Sequence, residues 1–177
     1  PVQTVVNACA SGADAIGIAR DWINAGLCDL AVAGGSDELC KVTYNGFISL
    51  MITDPCPCRP FDAGRSGLNL GEGAAALLLA PADYASLKEN RIQGYVSGYG
   101  AAGDAYHLTK PRPDAAGLIS ALDQVLTAKT TRIQDIGFIN AHGTGTRDND
   151  RMEMTVFKEN LPGIPFFSTK GYTGHTL

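Results

Sequence analysis

The chain has 177 residues, and 14 Lys and Arg stand against 18 Asp and Glu for a net charge of −4. That balance excludes the dominant basic face that wholesale nucleic-acid binding needs. Hydrophobic residues at 45% and charged residues at 18% exclude a disordered chain and allow a sizeable core.

The first residues, Val2-Gln3-Thr4-Val5-Val6, alternate like a strand. Residues 10–26 predict a helix that is small or apolar on nearly every side, and therefore a buried one. Residues 30–33 form a short apolar run ending in Gly34-Gly35, which suits a strand covered on both faces. A shorter helix is expected over 44–52 and a loop rich in Pro, Gly and charge over 53–67. Residues 72–80 fit helix or strand by pattern; Pro81 stops the run, and a helix pattern over 83–90 follows, which favours a strand. The second half repeats this grammar: strand 93–100, amphipathic helix 115–128, strand 136–141, helix 148–158, strand 165–168. Such alternation implies a layered α/β domain.

Pro1 at the start and Gly174-His175-Thr176-Leu177 at the close read as the ends of an internal fragment, so no targeting segment is legible. No apolar run approaches the roughly 20 residues of a membrane span. The five cysteines, Cys9, Cys28, Cys40, Cys56 and Cys58, are odd in number and irregularly spaced. This argues for a reducing, cytoplasmic setting over a disulfide framework.

Cys9 is the sharpest feature. Between the strand-like entry and the helix its sulfur faces a helix N-terminus, where unpaired N–H groups carry partial positive charge. An ordinary thiol with pKa about 8.5 is only a few per cent thiolate at neutral pH. About 2 kcal/mol from the helix end would lower that value by roughly 1.5 units. The same donors could hold an oxyanion. A small buried cysteine filling the core is the plainer reading of the spacing alone. His142 follows a strand in a glycine-threonine loop, and His175 follows another; for each alone, an ordinary surface or hydrogen-bonding histidine is the plainer reading. Cysteine plus two histidines at strand ends suggests a cleft.

Two motifs mislead. Gly98-Tyr99-Gly100-Ala101-Ala102-Gly103 has dinucleotide-fingerprint spacing, but Lys110-Pro111-Arg112-Pro113 breaks the helix that pyrophosphate binding requires. Cys56-Pro57-Cys58 lacks a second ligand pair at zinc spacing, so no metal is expected.

Three segments together resemble the elongating β-ketoacyl-carrier-protein synthases of the thiolase-fold superfamily: Asn7-Ala8-Cys9-Ala10-Ser11-Gly12, Asn140-Ala141-His142-Gly143-Thr144-Gly145-Thr146 and Ser168-Thr169-Lys170-Gly171-Tyr172-Thr173-Gly174-His175. Residues 59–67 (RPFDAGRSG), Gly71-Glu72-Gly73 and Asp104-Ala105-Tyr106-His107 fall in the same order. The resemblance implies part of a layered αβαβα fold, with residues 1–92 from the first half and 93–177 from the second. It implies that Cys9 accepts an acyl chain, that His142 and His175 bind the malonyl thioester oxygen, and that Lys170 is the motif lysine, paired with Glu153. Asp150 and Glu153 resemble the family's acidic pair, and Thr144, Thr146 and Thr109 match positions that meet the phosphopantetheine arm of an acyl carrier protein. No permanently bound cofactor or metal is implied; a homodimer is. Arg59, Arg65, Lys110 and Arg112 are candidates for docking the acidic carrier, with solvated surface the alternative. A second histidine in Gly174-His175-Thr176 resembles the elongating class rather than the initiating one. A thiolase-like coenzyme A acyltransferase and a non-catalytic partner subunit are the rival expectations. The fragment alone is expected not to condense substrates.

Overall fold

The computed structural model describes residues 1–84, 92–107, 109–127 and 131–177. Helix α1 spans Ser11–Asn24, strand β1 Ala31–Asp37, helix α2 Lys41–Ser49 and strand β2 Gly73–Leu79. They are followed by α3 (Ala116–Thr127), β3 (Ile139–Asn140), α4 (Arg147–Asn160), β4 (Phe166–Phe167) and α5 (Lys170–Thr173). The helix expected over 83–90 and the end of that expected over 115–128 lie mostly outside, or at the edge of, the described residues.

β1 and β2 pair antiparallel in continuous register from Ala31 opposite Leu79 to Asp37 opposite Gly73. The ambiguous run over 72–80 is thus a strand. Its small residues lie across from Gly34 and Gly35, which lets the two backbones approach without side-chain conflict. Double-sided burial does not follow, however. Only Ala33 of β1 is buried, and Val32 and Leu78 are 74% and 63% exposed. Among the described residues, this two-stranded ladder is packed mainly on α1 and has no third strand.

α1 keeps its expected place but buries only Gly17 and Ala19. α2 begins three residues earlier than expected because Cys40 caps it, its sulfur accepting from Thr43 N–H. Residues 2–6 form no ladder among the described residues and are mostly exposed. The expected strand over 93–100 forms none either; it runs between α1 and α3, with Tyr99 over Gly17 and Gly98 against Val125. A strand is defined by its ladder, and no ladder is assigned to either segment among the described residues.

The second half is better closed. β3 and β4 pair in parallel, Ile139 opposite Phe166 and Asn140 opposite Phe167. Beneath them Ala115, Ala141, Val156, Phe157 and Leu161 form the buried core. Phe61, reaching in from the 53–67 loop, stacks edge-on against Phe166 with centroids 4.9 Å apart. That loop therefore belongs to the core of the second half, although it lies in the first half of the sequence.

Candidate active site

One sulfur and two imidazoles converge. The Sγ of Cys9 and one ring nitrogen from each of His142 and His175 all lie within 4.8 Å of one another. The rings meet edge to face with centroids 5.3 Å apart. Three segments far apart in sequence thus supply one cluster.

Cys9 is presented by a strained turn. Ala8 has φ +47°, a left-handed conformation that costs a residue with a Cβ about 1–2 kcal/mol. Ser11 supports the turn: its Oγ donates to Ala8 C=O at 2.7 Å and accepts from Asn7 N–H at 2.7 Å. α1 starts two residues after the cysteine. Burial pushes the Cys9 thiol up, outweighing the downward pull of a backbone hydrogen bond and of the Lys170 charge. The direction is opposite to the expected depression, although Cys9 keeps an exposed surface on the site.

His142 stands after β3 in a loop clamped by α4. Glu153 accepts His142 N–H at 2.8 Å and Gly143 N–H at 2.7 Å, and Asp150, one turn earlier, accepts Gly145 N–H at 3.2 Å. Gly145 has φ +75°, and a Cβ there would meet Cys58 Sγ at 2.7 Å, so both shape and torsion require glycine. Thr144 and Thr146 join hydroxyls at 2.8 Å on this loop, Thr144 being buried.

His175 is held as if by one strand of a ladder. Its N–H donates to Asn69 C=O at 2.8 Å, and its C=O accepts from Gly71 N–H at 2.9 Å. Its Nδ1 accepts Leu177 N–H at 2.9 Å, which places a neutral ring's proton on Nε2. That Nε2 is buried and has no hydrogen-bond partner among the described residues. Lys170 sits at the start of α5, and its own pKa is lowered first by burial. Burial, reinforced by the Lys170 charge, pushes both histidines down to about 4. Both rings are therefore neutral near pH 7.

The spacing of the trio would also suit a metal ion, but the donor chemistry does not. Nε2 of His175 carries a proton rather than a lone pair, and Lys170 places a positive charge beside the cluster. The arrangement is built to donate hydrogen bonds toward negative charge.

Glu153 differs from its expected role. It makes no contact ion pair with Lys170; both carboxylate oxygens are taken by the His142 loop and by Asn149 Nδ2 at 2.9 Å. It acts on Lys170 as a nearby charge. Arg65 differs too. Rather than lying free on the surface, its side chain is 14% exposed and its Nε lies 3.4 Å from the fully buried Asp150. Arg112 is bound on two nitrogens by Asp114, while Arg59 is half-exposed and Lys110 exposed. Thr109 is exposed, and its N–H donates to His107 Nδ1 rather than to the cluster.

Three supporting residues escaped sequence reasoning. Ser168 Oγ donates to Gly143 C=O at 2.9 Å and accepts Lys170 N–H at 3.3 Å, joining the two histidine loops. Asn69 accepts Cys58 N–H at 2.6 Å, and the Cys58 thiol donates to Thr144 C=O at 3.3 Å. Only Ser168 stood within a motif that pointed to the site.

Comparison with known proteins gives consistent relatives. The chain is 37% identical over 190 residues to 3-oxoacyl-[acyl-carrier-protein] synthase 2 of Rhizobium meliloti (strain 1021), covering all of this chain and 45% of that protein. It superposes on the ketosynthase ApeO, solved in complex with its chain length factor ApeC from Xenorhabdus doucetiae, with TM-score 0.88 and 37% identity over 99% of this chain and 42% of that one. A type II PKS ketosynthase, solved with its acyl-carrier protein and bound to the hexaketide, matches with TM-score 0.83 and 30% identity over 95% of this chain and 44% of that one. The fold is therefore thiolase-like α/β, and the chain spans less than half the length of the proteins it matches. Residues 1–85 match the beta-ketoacyl synthase N-terminal domain and residues 93–177 its C-terminal domain; the chain belongs to the β-ketoacyl synthase family.

Proposed function

We propose that the protein performs a decarboxylative Claisen condensation, joining an acyl group held on Cys9 to a malonyl unit delivered by an acyl carrier protein. The observation that carries this reading is the convergence of a thiol with two neutral imidazoles within 4.8 Å.

The chemistry runs in two stages. The Cys9 proton passes to a neutral imidazole as sulfur attacks the incoming acyl thioester; the carrier thiol leaves with a proton, and an acyl-Cys9 thioester remains. The malonyl carboxylate then departs as carbon dioxide, and its bonding pair becomes an enolate. Negative charge grows on the thioester oxygen, where the unpartnered Nε2–H of His175 and an N–H of His142 stabilise it most when it is most developed. The enolate carbon attacks the acyl-Cys9 carbonyl, the C–S bond breaks, and the 3-oxoacyl product leaves a Cys9 thiolate that takes one proton from solvent to restore the thiol. Neutral imidazoles suit this work better than charged ones, since they can both take the thiol proton and donate to an enolate.

Thr144 and Thr146 are read as contacts for the phosphopantetheine arm, which comes with the carrier. Residues 1–92 and 93–177 are read as portions of the two halves of the fold, in a dimeric cytoplasmic enzyme. The five free cysteines support a reducing compartment, and the relative solved with an acyl-carrier protein supports the partner. Residues 59 and 110 are the cations whose exposure best suits carrier docking.

The test is acyl transfer from a radiolabelled acyl carrier protein followed by peptide mapping. Label on the Cys9 peptide that is lost in Cys9→Ala supports the reading. No label on intact protein would favour a non-catalytic partner subunit, and efficient transfer from coenzyme A alone would favour a thiolase-like enzyme.

A further inference from the structure

A chain of hydrogen bonds runs from the second half of the sequence to the cysteine turn. The Tyr99 hydroxyl donates to Asp14 Oδ1 at 2.7 Å, and Asn7 Nδ2 donates to Asp14 Oδ2 at 2.6 Å. One carboxylate, on the first turn of α1, thus receives a donor on each oxygen. Asn7 begins the turn: its C=O accepts Ala10 N–H at 3.1 Å and its N–H is held by Ser11 Oγ. Between Asn7 and Cys9 lies Ala8, with φ +47°.

The ring of Tyr99 has its own seat. It rests on Gly17, where an added Cβ would collide with it. The hydroxyl is delivered to Asp14 by packing on the same helix that carries Asp14. Donation to Asp14 pushes the Tyr99 phenol up to about 12, so the proton stays on the donor across the working pH range.

We propose that Tyr99 is a positioning residue for the Cys9 nucleophile, acting through Asp14 and Asn7 to hold the strained Ala8 turn. A turn with a left-handed alanine relaxes unless its surroundings over-determine it, and relaxation would carry the sulfur away from the imidazoles and Lys170. The brace also ties the nucleophile segment to residues that lead toward the histidine-bearing half. This inference rests on Cys9 being the nucleophile of the proposed reaction.

The experiment compares Tyr99→Phe, Asp14→Ala and the double variant in the intact protein, reading the rate of Cys9 alkylation by iodoacetamide at fixed pH. Tyr99→Phe keeps the ring on Gly17 and removes only the donor. Alkylation is expected to slow roughly three- to tenfold, the worth of one hydrogen bond. Because Tyr99 acts through Asp14, the double variant should be no slower than Asp14→Ala. In acyl transfer, kcat should fall while KM for the acyl carrier holds. Ultraviolet titration should find Tyr99 ionising about 12 and returning toward roughly 10 in Asp14→Ala. Unchanged alkylation in Tyr99→Phe, or losses that simply multiply in the double variant, would overturn the proposal. Absence of acyl transfer in the unmodified protein would sink the functional reading instead, and the alkylation comparison would still stand.

Discussion

Leu177 N–H donates to Nδ1 of His175 at 2.9 Å, while the opposite ring nitrogen is buried and has no partner among the described residues. A buried donor without an acceptor is costly unless something arrives to use it. In the proposed reaction the arriving acceptor is the thioester oxygen as it becomes an enolate. His175→Ala should therefore lower malonyl decarboxylation by about 10²- to 10³-fold, the worth of one oxyanion donor. His175→Asn, which keeps an N–H donor, should retain part of the rate. Carbon dioxide release measured with labelled malonyl-carrier checks both.

Acid sensitivity has a definite sign. Both histidines are pushed down from 6.5 to about 4 by burial first and then by Lys170. Between those values the unfolded chain takes up protons that the folded one refuses, so stability present above pH 6.5 is lost as pH falls toward 4. Denaturant titrations should show a loss on the order of 2–3 kcal/mol for the pair, well below the unscreened maximum because the site is partly open to solvent. His142→Phe should flatten the curve over that interval. An unchanged slope would place the titrating group elsewhere.

Lys170 pulls three groups in one direction, which makes its removal diagnostic. Its charge lowers Cys9, His142 and His175 alike. Lys170→Met should raise the Cys9 value further, slowing alkylation at pH 7–8, and should move the histidines up toward 6.5. The acid limb of activity then shifts to higher pH. If both profiles stay fixed, the ammonium does not act electrostatically on the cluster.

The chemical identities of the site were legible in the sequence because short motifs around Cys9, His142, Lys170 and His175 each lie in one local turn. Helices α1, α3 and α4 were legible from their periodicity and punctuation. Strand pairing was not, since pattern cannot show which extended segments pair, nor that residues 93–100 run between two helices. Nor could it show that a loop in the first half braces both histidine segments, through Asn69 to His175 and Cys58 to Thr144. Tyr99 and Asp14 stand 85 residues apart, and only the fold brings them together. The direction of the Cys9 shift is not legible in the sequence, because desolvation depends on the tertiary surroundings, whereas a helix end can be read locally.

Arg65 illustrates how a loop cation becomes internal. Asp150 is fully buried and accepts Phe61 N–H at 2.7 Å and Gly145 N–H at 3.2 Å, so its charge fixes two loops at once. Arg65 supplies the compensating cation at 3.4 Å and also donates to Asp62 C=O and Arg147 C=O. Arg65→Met would leave a carboxylate buried without its partner, a change that costs about 3–5 kcal/mol. Adding Asp150→Asn should recover part of that loss by removing the charge, though the amide's NH2 cannot accept an N–H and about 1 kcal/mol stays lost. Thermal and denaturant unfolding of the two variants, with carrier kinetics on Arg65→Met, separates the roles. An internal Arg65 predicts lower stability with recovery in the double variant; a docking Arg65 predicts unchanged stability and a raised KM for the carrier alone.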